Sequence, residues 1–142
     1  MLTDLVLEIF RLNGRLLAAG DQLVADIELT SARWQVLGAI HLAEEPQTVS
    51  WLARSMGLTR QAVQRLVNEL EAGGLAAFKT NPAHRRAQLV TLTQKGRAAY
   101  AAAERRQAPW INSLAKGFDR TDLAAALGLL NAIRGKLERD GE

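Results

Sequence analysis

Between Thr59 and Asn68 the chain carries six side chains suited to nucleic-acid bases or phosphates: Thr59, Arg60, Gln61, Gln64, Arg65 and Asn68. Gln61, Gln64, Arg65 and Asn68 stand at i, i+3, i+4 and i+7, so a helix presents all four on one face. Val63, Leu66, Val67 and Leu70 repeat that spacing on another face and form the buried side. A guanidinium pairs bidentately with guanine, and glutamine or asparagine amides pair with adenine. The free N–H groups and positive dipole end at Thr59 suit a phosphate. Taken alone, the pattern equally fits a helical hairpin with a solvated polar face.

Two neighbouring elements must position these side chains. Upstream, "TVSWLARSM" predicts a short helix capped by Thr48 and stopped by Gly57. Ala53 and Gly57 are small where two helices cross closely, and Leu52 and Leu58 are expected to fill the angle between them. A helix, a short turn and a polar-faced second helix together make helix-turn-helix geometry. Downstream of Gly73-Gly74, "LAAFKT" and "AQLVTLT" read as two strands separated by "NPAHRR". A turn at Asn81-Pro82 projects Arg85 and Arg86 from the hairpin tip. Such a wing can enter a minor groove, where narrow A·T tracts attract arginine. The competing role is a charged hairpin that protects a sheet edge.

The totals agree with a local polyanion site. Residues 51–97 hold eight cationic side chains against Glu69 and Glu71, a balance of +6; the rest of the chain therefore sums to −3 of the overall +3. A length of 142 residues suits one domain, and 48% hydrophobic with only 5% aromatic residues favours helices. No cysteine is present, which excludes disulfides, thiolate metal sites and cysteine redox sensing, and fits a reducing cytoplasm. Asp4 and Glu8 replace the basic leader of a signal peptide, and no apolar run approaches the ~18 residues of a membrane span. A cytoplasmic location without membrane association is expected.

The remaining segments read as helices. Residues 2–29 form one long helix with Leu5, Ile9, Leu12, Leu16 and Leu23 along a stripe; Gly14 and Gly20 weaken it unless something packs closely there. A second helix begins at Thr30 or Ser31, has Trp34, Leu37, Ile40 and Leu42 on its apolar side, and ends by Pro46. A helix from Thr93 to about Lys116 should kink or break at Pro109. The last helix opens at Asp119 or Thr121 and carries Leu123, Leu127, Leu130, Ile133 and Leu137. The terminal stripes exceed what a small lobe can cover, so they pack on each other or meet a partner.

The segments "LTSARWQVLGAI", "TVSWLARSMGLTRQAVQRLVNELEAGGL" and "NPAHRRAQLVTLTQKG", in that order, resemble the MarR family of winged helix-turn-helix regulators. The resemblance spans nearly the whole chain, and the wing-to-helix run with Leu92-Thr93 and Gly96 is its most specific part. It implies a mainly α fold with a small β-hairpin wing. Residues 30–97 would form the DNA-binding lobe, and residues 1–29 and 98–142 the dimerisation helices. It implies a homodimer on double-stranded DNA, with two reading helices about 34–36 Å apart on a near-palindromic operator. It further implies a small, often anionic aromatic effector, for which Phe10, Asn13, Arg33, Trp34 and His41 are the candidate lining residues; Phe10 and Trp34 are more often core fillers, and the alternative role of Arg33 is a surface charge. One departure stands out: His84 occupies the position where the family usually has an acid that braces a wing arginine.

Other chemistries find little support. His41 and His84 are far apart in sequence and no ligand cluster accompanies them, so no metal or cofactor is expected. Phosphate-loop and nucleophile-elbow motifs do not occur, and the carboxylates at Glu44-Glu45 and Glu69-Glu71 read as solvated faces. The absence of cysteine also excludes the thiol-based peroxide-sensing branch of the family. The expected function is a DNA-binding regulator, a repressor released by effector, and not an enzyme. The alternative is a winged-helix interaction module that does not read DNA.

Overall fold

The computed structural model describes residues 1–141 and divides into two compact units, Met1–Gln107 and the part from Ala108 onward. In the first unit α1 spans Leu2–Val24, α2 Ser31–Leu42, α3 Val49–Met56 and α4 Arg60–Ala72. Strands β1 (Gln47–Thr48), β2 (Ala76–Lys79) and β3 (Leu89–Leu92) form an antiparallel sheet in the order β1-β3-β2. Helix α5, Gln94–Leu114, begins in this unit and continues into the second, where α6 spans Arg120–Asp140.

Local chemistry sets most boundaries. Thr30, Thr48 and Thr59 each accept a hydrogen bond from the backbone N–H three residues on, at 3.2, 3.2 and 3.1 Å, and so cap α2, α3 and α4. Gly57 ends α3 in the left-handed conformation (φ 67°), while the Leu58 N–H returns to the Ala53 carbonyl at 3.0 Å. This is the glycine-terminated pattern that turns a chain sharply out of a helix. The core then assembles from Val36, Leu37 and Ile40 of α2, Leu52 and Ala53 of α3, Val63, Leu66, Val67 and Leu70 of α4, with Ala76 and Val90 of the sheet.

Several sequence expectations are corrected. The first helix stops at Val24; Ala25–Ile27 form a 3-10 turn and Glu28 is left-handed (φ 59°), which lets Leu29 turn into the core. Of the kink or break expected at Pro109, the break does not occur: α5 continues through it as one helix. Leu42 and Leu58 are exposed, not apolar filling. At Gly57 an added Cβ would meet open space, so glycine there serves the turn and not a close crossing. Gly20 does serve one: a Cβ would run into the Ser31 side chain, whose hydroxyl donates to the Leu17 carbonyl at 2.7 Å. Gly14, by contrast, has nothing near it.

The start of α5 ties the sheet to the end of α4. Thr93 Oγ1 donates to the Gly74 carbonyl at 2.6 Å and accepts from the Gly96 N–H at 3.0 Å. Lys95 Nζ donates to the Gly73 carbonyl at 3.0 Å, and Arg97 Nη1 to the Leu92 carbonyl at the same distance. A Cβ at Gly96 would collide with the Leu75 carbonyl, so this helix lies directly against the backbone leading into β2. These bonds use the run Leu92-Thr93 to Gly96 that the sequence singled out.

Candidate nucleic-acid interface

The polar face of α4 is built as its periodicity requires. Burial of Val63, Leu66, Val67 and Leu70 turns Gln61, Gln64, Arg65 and Asn68 away from the core, and with Arg60 they line one open groove along the helix. Two adjacent i,i+4 pairs order that face: Gln64 Nε2 donates to Asn68 Oδ1 at 2.9 Å, and Arg65 Nη1 donates to Glu69 Oε1 at 3.2 Å. Each exposed pair of this kind contributes only about 0.3–0.5 kcal/mol, so it sets a preferred rotamer and adds little to stability. The Gln64 pair leaves the Gln64 oxygen and the Asn68 amide hydrogens free to meet a base edge.

The hairpin places the other two candidate arginines. Asn81 opens it, with Oδ1 accepting from the Ala83 N–H at 3.0 Å and its carbonyl from the His84 N–H at 3.2 Å. A second turn follows at once, closed by the Ala87 N–H on the His84 carbonyl at 3.2 Å. Arg85 and Arg86 are the central residues of that second turn, and both are exposed. Arg86 and Arg60 line the same small hollow of about 80 Å³, together with Thr48, Ser50 and Gln64. The cap of α3, helix α4 and the wing thus present polar groups to one place. Ser50 was not among the sequence candidates; its place in the first turn after a cap threonine is the signal that points to it.

Glu69 is the other residue that sequence reasoning passed over. It is no solvated acid: its Oε2 accepts from Arg33 Nε at 3.2 Å while Oε1 holds Arg65. The i,i+4 spacing to Arg65 was legible, whereas the partner on α2 was not. The five candidate effector residues distribute differently. Arg33 is half-buried and lines two cavities of about 400 and 750 Å³, each also lined by Glu69 and neither by Phe10, Asn13, Trp34 or His41. Phe10 and Asn13 are exposed on α1, and Trp34 packs against the core. His41 stacks on Tyr100 with ring centroids 4.6 Å apart. Burial pushes the Tyr100 phenol above its ordinary pKa, and the neighbouring Glu104 carboxylate adds to the effect.

A family model described as MarR family matches residues 27–87, the span from the turn before α2 to the wing. An uncharacterized protein of Mycobacterium tuberculosis is 39% identical over 135 residues, 95% of this chain and 88% of that protein. The chain belongs to the MarR family. Among solved structures, the transcriptional repressor CouR bound to a 23-mer DNA duplex is similar at TM-score 0.79 and 27% identity, covering 89% of each chain. CouR from Rhodococcus jostii RHA1 bound to p-coumaroyl-CoA is similar at TM-score 0.81 and 25% identity, covering 92% of this chain and 91% of that one. The MarR fold is that of transcription regulators rather than enzymes. In the wing of this MarR-family chain, main-chain bonds to the Asn81 and His84 carbonyls shape the arginine turn. Among the described residues, no helix is long and apolar enough to cross a membrane.

Proposed function

We propose that this chain is a cytoplasmic, homodimeric repressor that reads a near-palindromic operator and is released by a small effector. The observation that carries the reading is the paired polar face of α4, with Gln61, Gln64, Arg65 and Asn68 turned outward beside a wing that offers Arg85 and Arg86. Thr59 and Arg60 at the start of α4 take phosphate, the helix reads base edges in the major groove, and the wing arginines reach the flanking minor groove. The DNA complex of CouR supports this assignment.

Dimerisation is supported by apolar side chains left open in each unit. Leu2, Leu7, Phe10, Leu12 and Leu16 are exposed on α1, and Leu123, Leu127, Leu130 and Leu137 on α6. A second copy covers them, so that residues 1–29 and 98–142 join two lobes made from residues 30–97. Effector release is supported by the ligand complex of CouR. It is supported also by Arg33, a cation beside two cavities that shares Glu69 with a base-reading arginine. An anionic effector held near Arg33, with Phe10, Asn13, Trp34 and His41 completing its surroundings in the dimer, must favour one spacing of the two reading heads to release DNA.

Selection of the purified protein on random duplexes at about 150 mM salt, where non-specific phosphate contacts are weakened, tests the reading. An inverted repeat with half-site centres about one helical turn apart is expected. A folded dimer that enriches no sequence would instead mark a protein-interaction module.

A further inference from the structure

We infer that Glu69 sets which base edge Arg65 can read, and that Arg33 on α2 is the residue that holds Glu69 to that task. The inference rests on the reading of α4 as the recognition helix. Three observations carry it. Both Glu69 oxygens are occupied, Oε1 by Arg65 and Oε2 by Arg33, each at 3.2 Å. The two arginines approach from different helices, so the carboxylate is held from two sides. The Arg33 and Glu69 side chains are about one-third exposed, whereas Arg65 is 68% exposed.

A carboxylate on a DNA-facing helix is repelled by phosphates unless a nearby cation compensates its charge. Here one acid stands between two guanidiniums, and the trio keeps a net positive charge. While Arg65 reads a base through its remaining N–H groups, Glu69 keeps both its bond to Arg65 Nη1 and its bond to Arg33, the less exposed of the two arginines. Reading guanine requires a guanidinium edge with two N–H donors lying in the plane of the base. Arg65 is long and flexible, and its exposed stem alone fixes no such plane. Anchoring Nη1 on Glu69 Oε1 leaves the edge formed by Nε and the other terminal nitrogen available for a base. Glu69 is therefore a positioning residue, and its own position depends on Arg33.

The test compares the unaltered protein with Glu69→Gln, Arg33→Gln and the double variant by duplex selection, and then titrates the selected operator, single-base variants of it and a scrambled duplex. Glu69→Gln keeps the shape and removes the charge. Each variant is expected to lose about tenfold or more of its discrimination at the position that Arg65 reads. Affinity for the scrambled duplex should rise or stay equal for Glu69→Gln and fall for Arg33→Gln, in line with the charge each change removes. The double variant should be no worse than Glu69→Gln alone, because the two residues act in series. A lowered melting temperature with discrimination intact would assign the pair a purely structural role and overturn the inference. Loss of discrimination in Glu69→Gln but not in Arg33→Gln would overturn the part given to Arg33. Failure of the unaltered protein to select any sequence removes the regulator reading and this inference with it; selection by the unaltered protein with unchanged preference in both variants removes this inference alone.

Discussion

Arg65 is tied to Glu69 through a single 3.2 Å contact at Nη1, and most of its side chain stays in water, open to a further partner. Arg65→Ala is expected to weaken operator binding by about 1–3 kcal/mol and to relax preference at one base pair per half-site. Titrations against single-base variants of the operator check this; equal losses on every duplex would make Arg65 a phosphate contact. Tyr100 offers a second residue-scale prediction, of stability instead of binding. Its phenol is buried against Gly38 and His41, and its pKa is raised by burial and by Glu104. A folded-state pKa above the unfolded value means that the unfolded chain ionises first as pH rises. The fold should therefore be unaffected by this group below about pH 10 and lose stability above it. Denaturant titrations at increasing alkaline pH should show that loss, and Tyr100→Phe should reduce it; an unchanged pH slope in the variant would place the sensitivity elsewhere.

Among elements, the wing carries a distinct electrostatic signature. Arg85 and Arg86 sit in a short turn closed on the His84 carbonyl, with their side chains in solvent. Replacing both by alanine should weaken binding across sequences and lower the slope of log affinity against log salt by about 2. A changed base preference with an unaltered slope would remove the wing from the phosphate and minor-groove role. The elements around it differ in how legible they were. Helices α3 and α4 could be bounded from Thr48, Gly57, Thr59 and Gly73-Gly74, because caps and glycine stops act within one turn. Strand β1 could not: Gln47–Thr48 is a strand only because it meets Val90 and Leu89 of β3. Pro109 does not break α5, because proline lacks only one N–H and the helix continues on both sides of it.

For the whole molecule, the exposed leucines of α6 and the exposed apolar residues of α1 are the features that a single copy leaves unexplained. Replacing Leu127 and Leu130 by aspartate changes side chains that are 60% and 42% exposed, so the isolated chain should keep its fold. Under the dimer reading the double variant becomes monomeric and loses most of its operator affinity, because two half-sites are no longer bound together. Sedimentation across a range of concentrations, with circular dichroism as a folding control, checks this. A variant that remains dimeric would place the interface on other residues.

The sequence by itself determined the helix-turn-helix, the basic wing and the outward residues of α4, since periodicity and capping are set by neighbours a few positions away. It also pointed to the run Leu92-Thr93 to Gly96, although not to what that run does. Only the tertiary structure decided that Gly96 lies against the Leu75 carbonyl, and that Thr93 joins the end of α4 to the start of α5. It alone decided that Glu69 and Arg33, 36 positions apart, share a bond that reaches the reading face through Arg65. The physical reason is common to these cases: a contact between distant positions depends on how packed helices and strands are set against one another, and no local spacing encodes that.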